Sequence, residues 1–336
     1  MVQTASTDAG ISQRVQEYAA REMLKWAGPV VILDKLGMTK PMPKNKGVNI
    51  KFRRPNVFTK ADTPLSEGVT PSATAFSYTD VSAALKQYGQ VVQITDVIQD
   101  THEDPVLNDA TVQCGENIGR TIESLTFGIV KAGTTVSYTN GSARSSVNTT
   151  IVLDDQRSVT RTLLANKAMM MTRILDGSPN YKTTPVEAGY IAASHTDMEA
   201  DIRNMTGFTP TAEYGSRRTI HEYELGTVER VRYLCSPDLG PFKDGGGAKA
   251  GSGTTMVSSA GTSADVYPIM YFGKEAFGCV PLRGVGAVEP TIIPVNQKDK
   301  SDPLGQRGYV GWKTWFVCVV LNEAWMARLE SAATAL

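Results

Sequence analysis

The chain has 336 residues, with 34 basic and 34 acidic side chains and a formal net charge of zero. That length supports a large core divided over roughly two domains, and the neutrality argues against a dedicated nucleic-acid binder, which would carry a basic surplus. It also leaves copies of the chain free to pack together without global repulsion. Four widely spaced cysteines, Cys114, Cys235, Cys279 and Cys318, form no CxxC pair and read as reduced, buried thiols. The first ten residues lack the apolar core of a signal peptide. The apolar run from Trp315 to Leu321 is too short to span a bilayer. Asn140-Gly141-Ser142 and Asn148-Thr149-Thr150 match the glycosylation pattern but, without a secretion signal, read as chance. An intracellular, soluble chain is expected.

In chain order, a polar start is followed by an amphipathic stretch from Ser12 to Trp26, stopped by Gly28-Pro29, and a short apolar run from Val30 to Leu36. Trp26, Leu33 and Leu36 read as anchors of an arm too small to fold alone. Val48 to Phe58 alternates as a half-buried strand does. Thr59 to Ser72 is rich in Pro, Gly, Thr and Ser and reads as a polar tip. Thr74 to Tyr78 and Val81 to Val97 are again extended, with Gly89 as a bulge candidate. Two long arms around a tip make a hairpin with too little to pack on, since isolated ribbons are marginal. Its cheapest partner is a neighbouring subunit.

Asp104 to Gly133 then predicts a helix of about 40 Å. Leu107, Thr111, Cys114, Ile118, Ile122, Leu125 and Ile129 recur in steps of three and four, Asp104 and Pro105 suit its start, and Gly133 its end. Gly115, Gly119 and Gly128 weaken it, so other structure must lie along it. Beyond a turn at Asn140-Gly141, a second helix is expected over Ser158–Leu175 and a third over Asp197–Asn204, capped by Thr196. Strands are expected at Tyr190–Ala193, Thr227–Leu234, Val266–Phe272 and Tyr309–Val320. Lys274–Phe277 reads as one helical turn and Asn322–Ala333 as a final helix. Gly240–Gly261, dominated by small residues, reads as a flexible surface loop. The absence of regular βαβ alternation disfavours a doubly wound sheet; the class is α+β.

No set of residues stands out as chemistry. His102, His195 and His221 show no metal-ligand spacing. Gly251-Ser252-Gly253-Thr254-Thr255 lacks the phosphate-loop lysine, with only Lys249 near, and Gly284-x-Gly286 followed by Glu289 fails as a dinucleotide fingerprint. Asp154-Asp155 and Glu199/Asp201 read as solvated helix carboxylates. Arg53-Arg54 and Arg217-Arg218 read as locally paired or solvated. A hydrolase working through His195, Asp197 and Cys235 is the alternative from another class. Catalytic, cofactor-binding and metal-binding residues are expected to be none.

Four segments then carry a resemblance: Leu85-Lys86-Gln87-Tyr88-Gly89-Gln90 through Thr95-Asp96 to Asn117 and Gly119; Gly189-Tyr190-Ile191-Ala192 with His195 and Asp197–Ile202; Gly226–Tyr233; and Gly311-Trp312-Lys313. In this order the chain resembles tailed-bacteriophage major capsid proteins of the N4-like (gp56-type) family, which have the HK97 fold. The resemblance implies an N-terminal arm at 1–46, an extended E-loop hairpin with adjoining strands at 47–98, and a peripheral domain with a long spine helix at 99–159. A mainly axial domain at 160–289 and returning strands at 290–336 would follow. It further implies a structural, non-enzymatic protein that self-assembles as hexamers and pentamers into an icosahedral-type shell around double-stranded DNA, in the virion capsid after assembly in the host bacterial cytoplasm. Partners would be other copies, a portal, a separate scaffold protein, decoration proteins and nonspecifically contacted DNA, with no membrane and no cofactor. Lys51 and Lys60 fall in the loop region, and nothing supports a lysine cross-link there. An encapsulin-like cellular shell of the same fold is the second reading.

Overall fold

The structure, a computed structural model, describes residues 31–336 except 44, 66, 69, 102–105, 176–182, 216–218, 250–254, 282–287, 296 and 299–301. The stretch from Ser12 to Trp26 and the start of the long helix at Asp104-Pro105 lie outside the described residues. The chain enters with one helical turn, α1 (Leu33–Leu36), and a short strand, β1 (Met38–Thr39). β2 (Asn49–Pro55) and β3 (Tyr78–Ala84) pair antiparallel, Asn49 opposite Ala84 and Pro55 opposite Tyr78, so residues 56–77 form the hairpin tip. After Leu85 come β4 (Lys86–Thr95), α2 (Asp96–Thr101) and the long helix α3 (Val106–Lys131). The remainder runs β5 (Val136–Tyr138), α4 (Leu153–Ala165), β6 (Met171–Leu175), β7 (Thr183–Ser194), α5 (Glu199–Arg203), β8 (Phe208–Pro210) and β9 (Glu224–Val228). β10 (Val231–Cys235), β11 (Val266–Phe272), β12 (Phe277–Pro281), β13 (Val288–Ile293), β14 (Arg307–Val320) and β15 (Met326–Ala332) complete it.

β14 is the axis of the first sheet. β4 runs antiparallel along one edge, from Thr95 opposite Arg307 to Lys86 opposite Phe316. β13 and then β12 share its other edge end to end, and β1 adds to β12 in parallel. The first half of α3 lies across this sheet, with Cys114 and Ile118 packed on Ile94, Ile292, Val310 and Trp312. Gly115 and Gly119 are buried on the same side of the helix. Gly89, read as a bulge, sits in unbroken register with Lys313. An added Cβ there would stand 2.6 Å from the Trp312 carbonyl oxygen, so the position needs glycine for close approach of two backbones.

The second sheet has the strand order β5-β15-β11-β7-β10-β9-β8, with β6 also on β7. Side chains alternate between two cores, as the period of two requires. Tyr190, Ala192, Val231, Tyr233, Tyr267, Ile269 and Tyr271 face a layer that includes Val159 and Leu163 of α4 and Ile202 of α5. Ile191, Ala193, Leu234, Met270 and Phe272 face the opposite core, which holds Leu33, Leu36, Phe127 and Val130. Both faces are covered, so β10 and β11 are buried throughout. The tyrosine hydroxyls do not go unpaired: Tyr233 donates to Gln156 at 2.7 Å and lies 2.9 Å from the Tyr271 hydroxyl, and Tyr190 donates to the Ala168 carbonyl at 3.0 Å.

Several expected elements differ. The expected helix over Ser158–Leu175 is a shorter α4 followed by β6. Lys167 takes a φ of 53°, which ends a helix, and the apolar residues beyond it enter the sheet beside β7. The expected final helix is one turn of 3-10 helix, Glu323–Trp325, and then β15, all seven residues of which are buried between β5 and β11. There sheet pairing overrides helix propensity. The single strand expected over Thr227–Leu234 is a hairpin, β9 and β10, turning at Glu229 with φ 52°. The helical turn expected at Lys274 is a tight turn with Glu275 at φ 60°, and Phe277 opens β12. The C-terminal end of the long extended run to Val97 winds into α2 from Asp96.

Candidate assembly interface

The hairpin is rooted and its tip is bare. At the root, Phe52 is buried with Met42, Leu85 and Val280. Farther out, Arg53 donates to both oxygens of Asp80, at 2.8 and 3.0 Å, and its guanidinium lies 5.2 Å from the Tyr78 ring centroid. Asn56 and Ser77 close the ladder through backbone and side chains. Beyond them Phe76 meets Phe58 at 5.7 Å and Tyr78 edge-on at 4.6 Å between ring centroids. Every described residue from 56 to 77 is exposed, Val57 at 93% and Leu65 at 77%. Apolar and aromatic side chains on an extended, solvent-facing ribbon are what a partner surface looks like before its partner is in place. Lys51 and Lys60 both lie exposed on this hairpin.

The N-terminal segment is seated on α3 by a residue that the sequence reading passed over. Glu123 has no exposed surface. Its carboxylate accepts the Ile32 amide at 3.1 Å and the Leu33 amide at 3.1 and 3.2 Å, at the start of α1. Those amides favour the ionised form, but burial outweighs them and the carboxyl is pushed up to about 8. Leu33 and Leu36, the expected anchors, are buried beside it, and Trp26 lies outside the described residues. Gly37 lets the chain cross Phe277: an added Cβ would stand 2.6 Å from its ring and 3.3 Å from Cys279 Sγ. His221 is half-buried with Nε2 3.1 Å from Lys35 Nζ. Burial, then the Lys35 charge, lowers its pKa, so the neutral ring serves as acceptor for the ammonium.

The structure gives the residues of the hydrolase alternative structural partners. His195 and Asp197 do meet, Nδ1 to Oδ2 at 3.2 Å, but Nδ1 also accepts the Asp197 amide at 3.1 Å, which makes His195, not the expected Thr196, the cap of the turn before α5. Asp197 in turn accepts the Tyr267 hydroxyl. Cys235 pairs with Ser194 at 3.1 Å, and burial pushes its thiol up to about 12, so it is held as the neutral, un-nucleophilic form. The acidic pairs also have structural uses. Asp155 accepts the Val152 amide, Glu199 pairs with Arg203, and Asp201 takes the amide and hydroxyl of Thr334. His102, Arg217-Arg218, Gly251–Thr254 and Gly284/Gly286 lie outside the described residues. Among the described residues no cluster of His, Cys, Asp and Glu is arranged to hold a metal ion, and no helix is long and apolar enough to cross a membrane.

Residues 78–329, well over half of the chain, match the family model described as phage capsid protein. The chain belongs to the phage capsid protein family. No curated protein sequence matches it. Among solved structures, this capsid protein is similar to the capsid of Ralstonia phage GP4, with a TM-score of 0.62 and 11% identity over 89% of this chain and 88% of that one. It is similar to the capsid of cyanophage P-SCSP1u as well, at 0.59 and 14%, over 90% and 88%. The SrpI encapsulin of Synechococcus elongatus PCC 7942 gives 0.50 and 11%, over 90% and 87%. At these identities the likeness is one of fold, the HK97 fold of phage capsids. The family membership makes the chain a structural shell protein.

The capsid protein's segment 240–261, expected to be flexible, is tied down where it is described. Phe242 bridges Val266, Asp265 accepts the amides of Asp244 and Ser259, and Asp244 accepts the Ala260 amide. Phe242 also carries three cations, Arg144 3.4 Å, Lys131 3.8 Å and Arg328 5.9 Å from its ring centroid. Arg144 donates twice at 2.7 Å to the fully buried Glu330, which Arg328 approaches at 2.8 Å. Lys131 and Arg328 stand at the C-terminal end of α3, Arg328 donating to the Lys131 carbonyl, where positive charge opposes the helix dipole.

Proposed function

We propose that the chain is the major capsid protein of a tailed-phage head. It self-assembles as hexamers and pentamers into a closed, icosahedral-type shell that encloses double-stranded DNA, and it performs no catalysis. The labour is divided as the resemblance implies: an arm at 1–46, an E-loop at 47–98, a peripheral domain with α3 at 99–159, a mainly axial domain at 160–289 and returning strands at 290–336. The N4-like (gp56-type) branch, a portal, a separate scaffold protein, decoration proteins, nonspecific DNA contact at the inner wall and assembly in a bacterial cytoplasm belong to the same reading. The observation that carries it is the hairpin, whose root is buried in its own chain through Phe52 while its aromatic tip has no cover. Such a ribbon becomes stable by lying on a neighbouring copy, and many such weak straps add up to firm retention of each subunit. Small adjustments at arms and loops let one contact serve both fivefold and sixfold neighbours.

Deleting residues 64–71 tests this. The expected result is a subunit that unfolds at the unchanged temperature but gives a low yield of shells with reduced heat resistance. Normal yield and heat resistance would overturn the strapping role. The fold likeness to an encapsulin favours a second reading, a cellular compartment around an enzyme. Particles purified from the native source distinguish the two, because the first holds DNA and the second a protein cargo.

A further inference from the structure

β12 and β14 place two thiols face to face. Cys279 and Cys318 are directly opposite in antiparallel register, and both are buried in the core beneath α1. The pair's type follows from the backbone. The Cys279 carbonyl accepts the Lys40 amide from the arm, on the side away from β14, and the hydrogen bonds to β14 begin at Ala276, whose carbonyl accepts the Leu321 amide. Counting along the alternation, 276/321 and 278/319 are hydrogen-bonded pairs, and 279/318 is the non-hydrogen-bonded kind. Such pairs hold their Cα atoms about 4.5 Å apart with side chains close, within the roughly 4.4–6.8 Å that a disulfide spans. The two thiols already contact each other, Cys279 also faces the Asp34 carboxyl, and one oxygen of that carboxyl is buried with no hydrogen-bond partner among the described residues. Cys114 and Cys235 have no cysteine opposite: Cys114 points from α3 into the first sheet, and Cys235 lies beside Ser194.

We propose that Cys279 and Cys318 are an oxidation site, a dithiol that closes to a cross-strand disulfide on reaction with a peroxide. Peroxide is a fitting oxidant because a molecule little larger than water reaches a packed interior that a peptide disulfide cannot enter. Cys279 Sγ attacks one peroxide oxygen as its proton passes to the Asp34 carboxylate. The O–O bond breaks, and the departing hydroxide takes that proton back as water, leaving a sulfenic acid. Cys318 Sγ then attacks the sulfenic sulfur. The S–O bond breaks, and the hydroxide leaves with the Cys318 proton as a second water. Two thiols and one peroxide thus give one disulfide and two waters. The bond fastens β12, which carries β1 of the arm, to β14 at the centre of the first sheet. The hydrogen bond to Cys318, and then burial, raises the Cys279 thiol, so it rests neutral as Cys235 does and the reaction is slow. What sets this pair apart is the Asp34 carboxyl beside Cys279 and the second thiol that waits on the sulfenic sulfur. The inference holds for the isolated chain and for a shell alike.

The test is hydrogen peroxide treatment of the folded full-length chain over a time course, acid quench, alkylation under denaturing conditions and tryptic mapping. The expected product is a peptide joining 275–283 to 314–328, with Cys114 and Cys235 fully alkylated, and a raised unfolding temperature that dithiothreitol reverses. In Cys318→Ala the cross-link is absent and Cys279 carries the sulfenic or a higher acid. The mapping on the unaltered chain decides even where that variant fails to fold. Four alkylated cysteines at every time point, or oxidation at Cys114 or Cys235 before the pair, would overturn the proposal.

Discussion

Glu123 sits in the middle of α3, and its two oxygens take the amides that open α1. Its native pKa of about 8 lies above the ordinary 4.5, so the folded chain keeps a proton that the unfolded chain releases. The stability tied to this proton is full below about pH 4.5 and is lost as pH rises towards 8, at roughly 1.4 kcal/mol per pH unit inside that window. Glu123→Gln keeps an acceptor for the amides and removes the titration. Thermal unfolding across pH 5 to 8 is expected to fall more steeply for the native chain than for the variant, and equal slopes would contradict this role. Nothing in the sequence marked Glu123. A carboxylate between Ile122 and Leu125 on an amphipathic helix reads as solvated, because a carboxylate is normally buried only against partners from elsewhere in the chain. Those partners are two backbone amides about ninety positions away. The thiol pair was hidden for the same reason: a separation of thirty-nine positions from Cys279 to Cys318 says nothing of strand register.

At the scale of the element, legibility followed local pattern. The hairpin showed in its alternation and its Pro- and Gly-rich tip, and the long helix in its three-four spacing. Ile129, on the expected stripe, is nonetheless 42% exposed, while Phe127 and Val130 are buried. The helix faces the first sheet in its first half and α1 with the second sheet in its second, so no single stripe describes it. β15 was misread because a strand buried along its whole length carries no inside-outside alternation of its own. The hairpin offers a matched pair of substitutions. Phe52→Ala removes a buried ring at the root and is expected to cost about 3 kcal/mol of subunit stability. Phe76→Ala, at the exposed tip, is expected to change subunit stability by less than about 0.5 kcal/mol and to weaken assembly instead. Chemical denaturation and sedimentation of the two variants check this, and a destabilised Phe76→Ala subunit would mean that the tip packs within its own chain.

At the scale of the whole molecule, the two sheets, the helix across one of them and the projecting ribbon form the HK97 fold, and the family match makes it a capsid protein. The architecture was legible from element order and from the residues of the resemblance, whereas the joint that seats α1 on α3 was not. Zero net charge suits a subunit that meets copies of itself on several sides, since no global repulsion opposes the close approach. The most direct measurement is electron cryomicroscopy of the assembled protein at a resolution that shows side chains. The account predicts closed shells with fivefold and sixfold clusters, in which Phe58, Phe76 and Tyr78 of each subunit lie buried on a neighbouring copy. Shells in which those three rings stand in solvent, or a protein that stays a 36.2 kDa monomer in the presence of its phage's other head proteins, would contradict it.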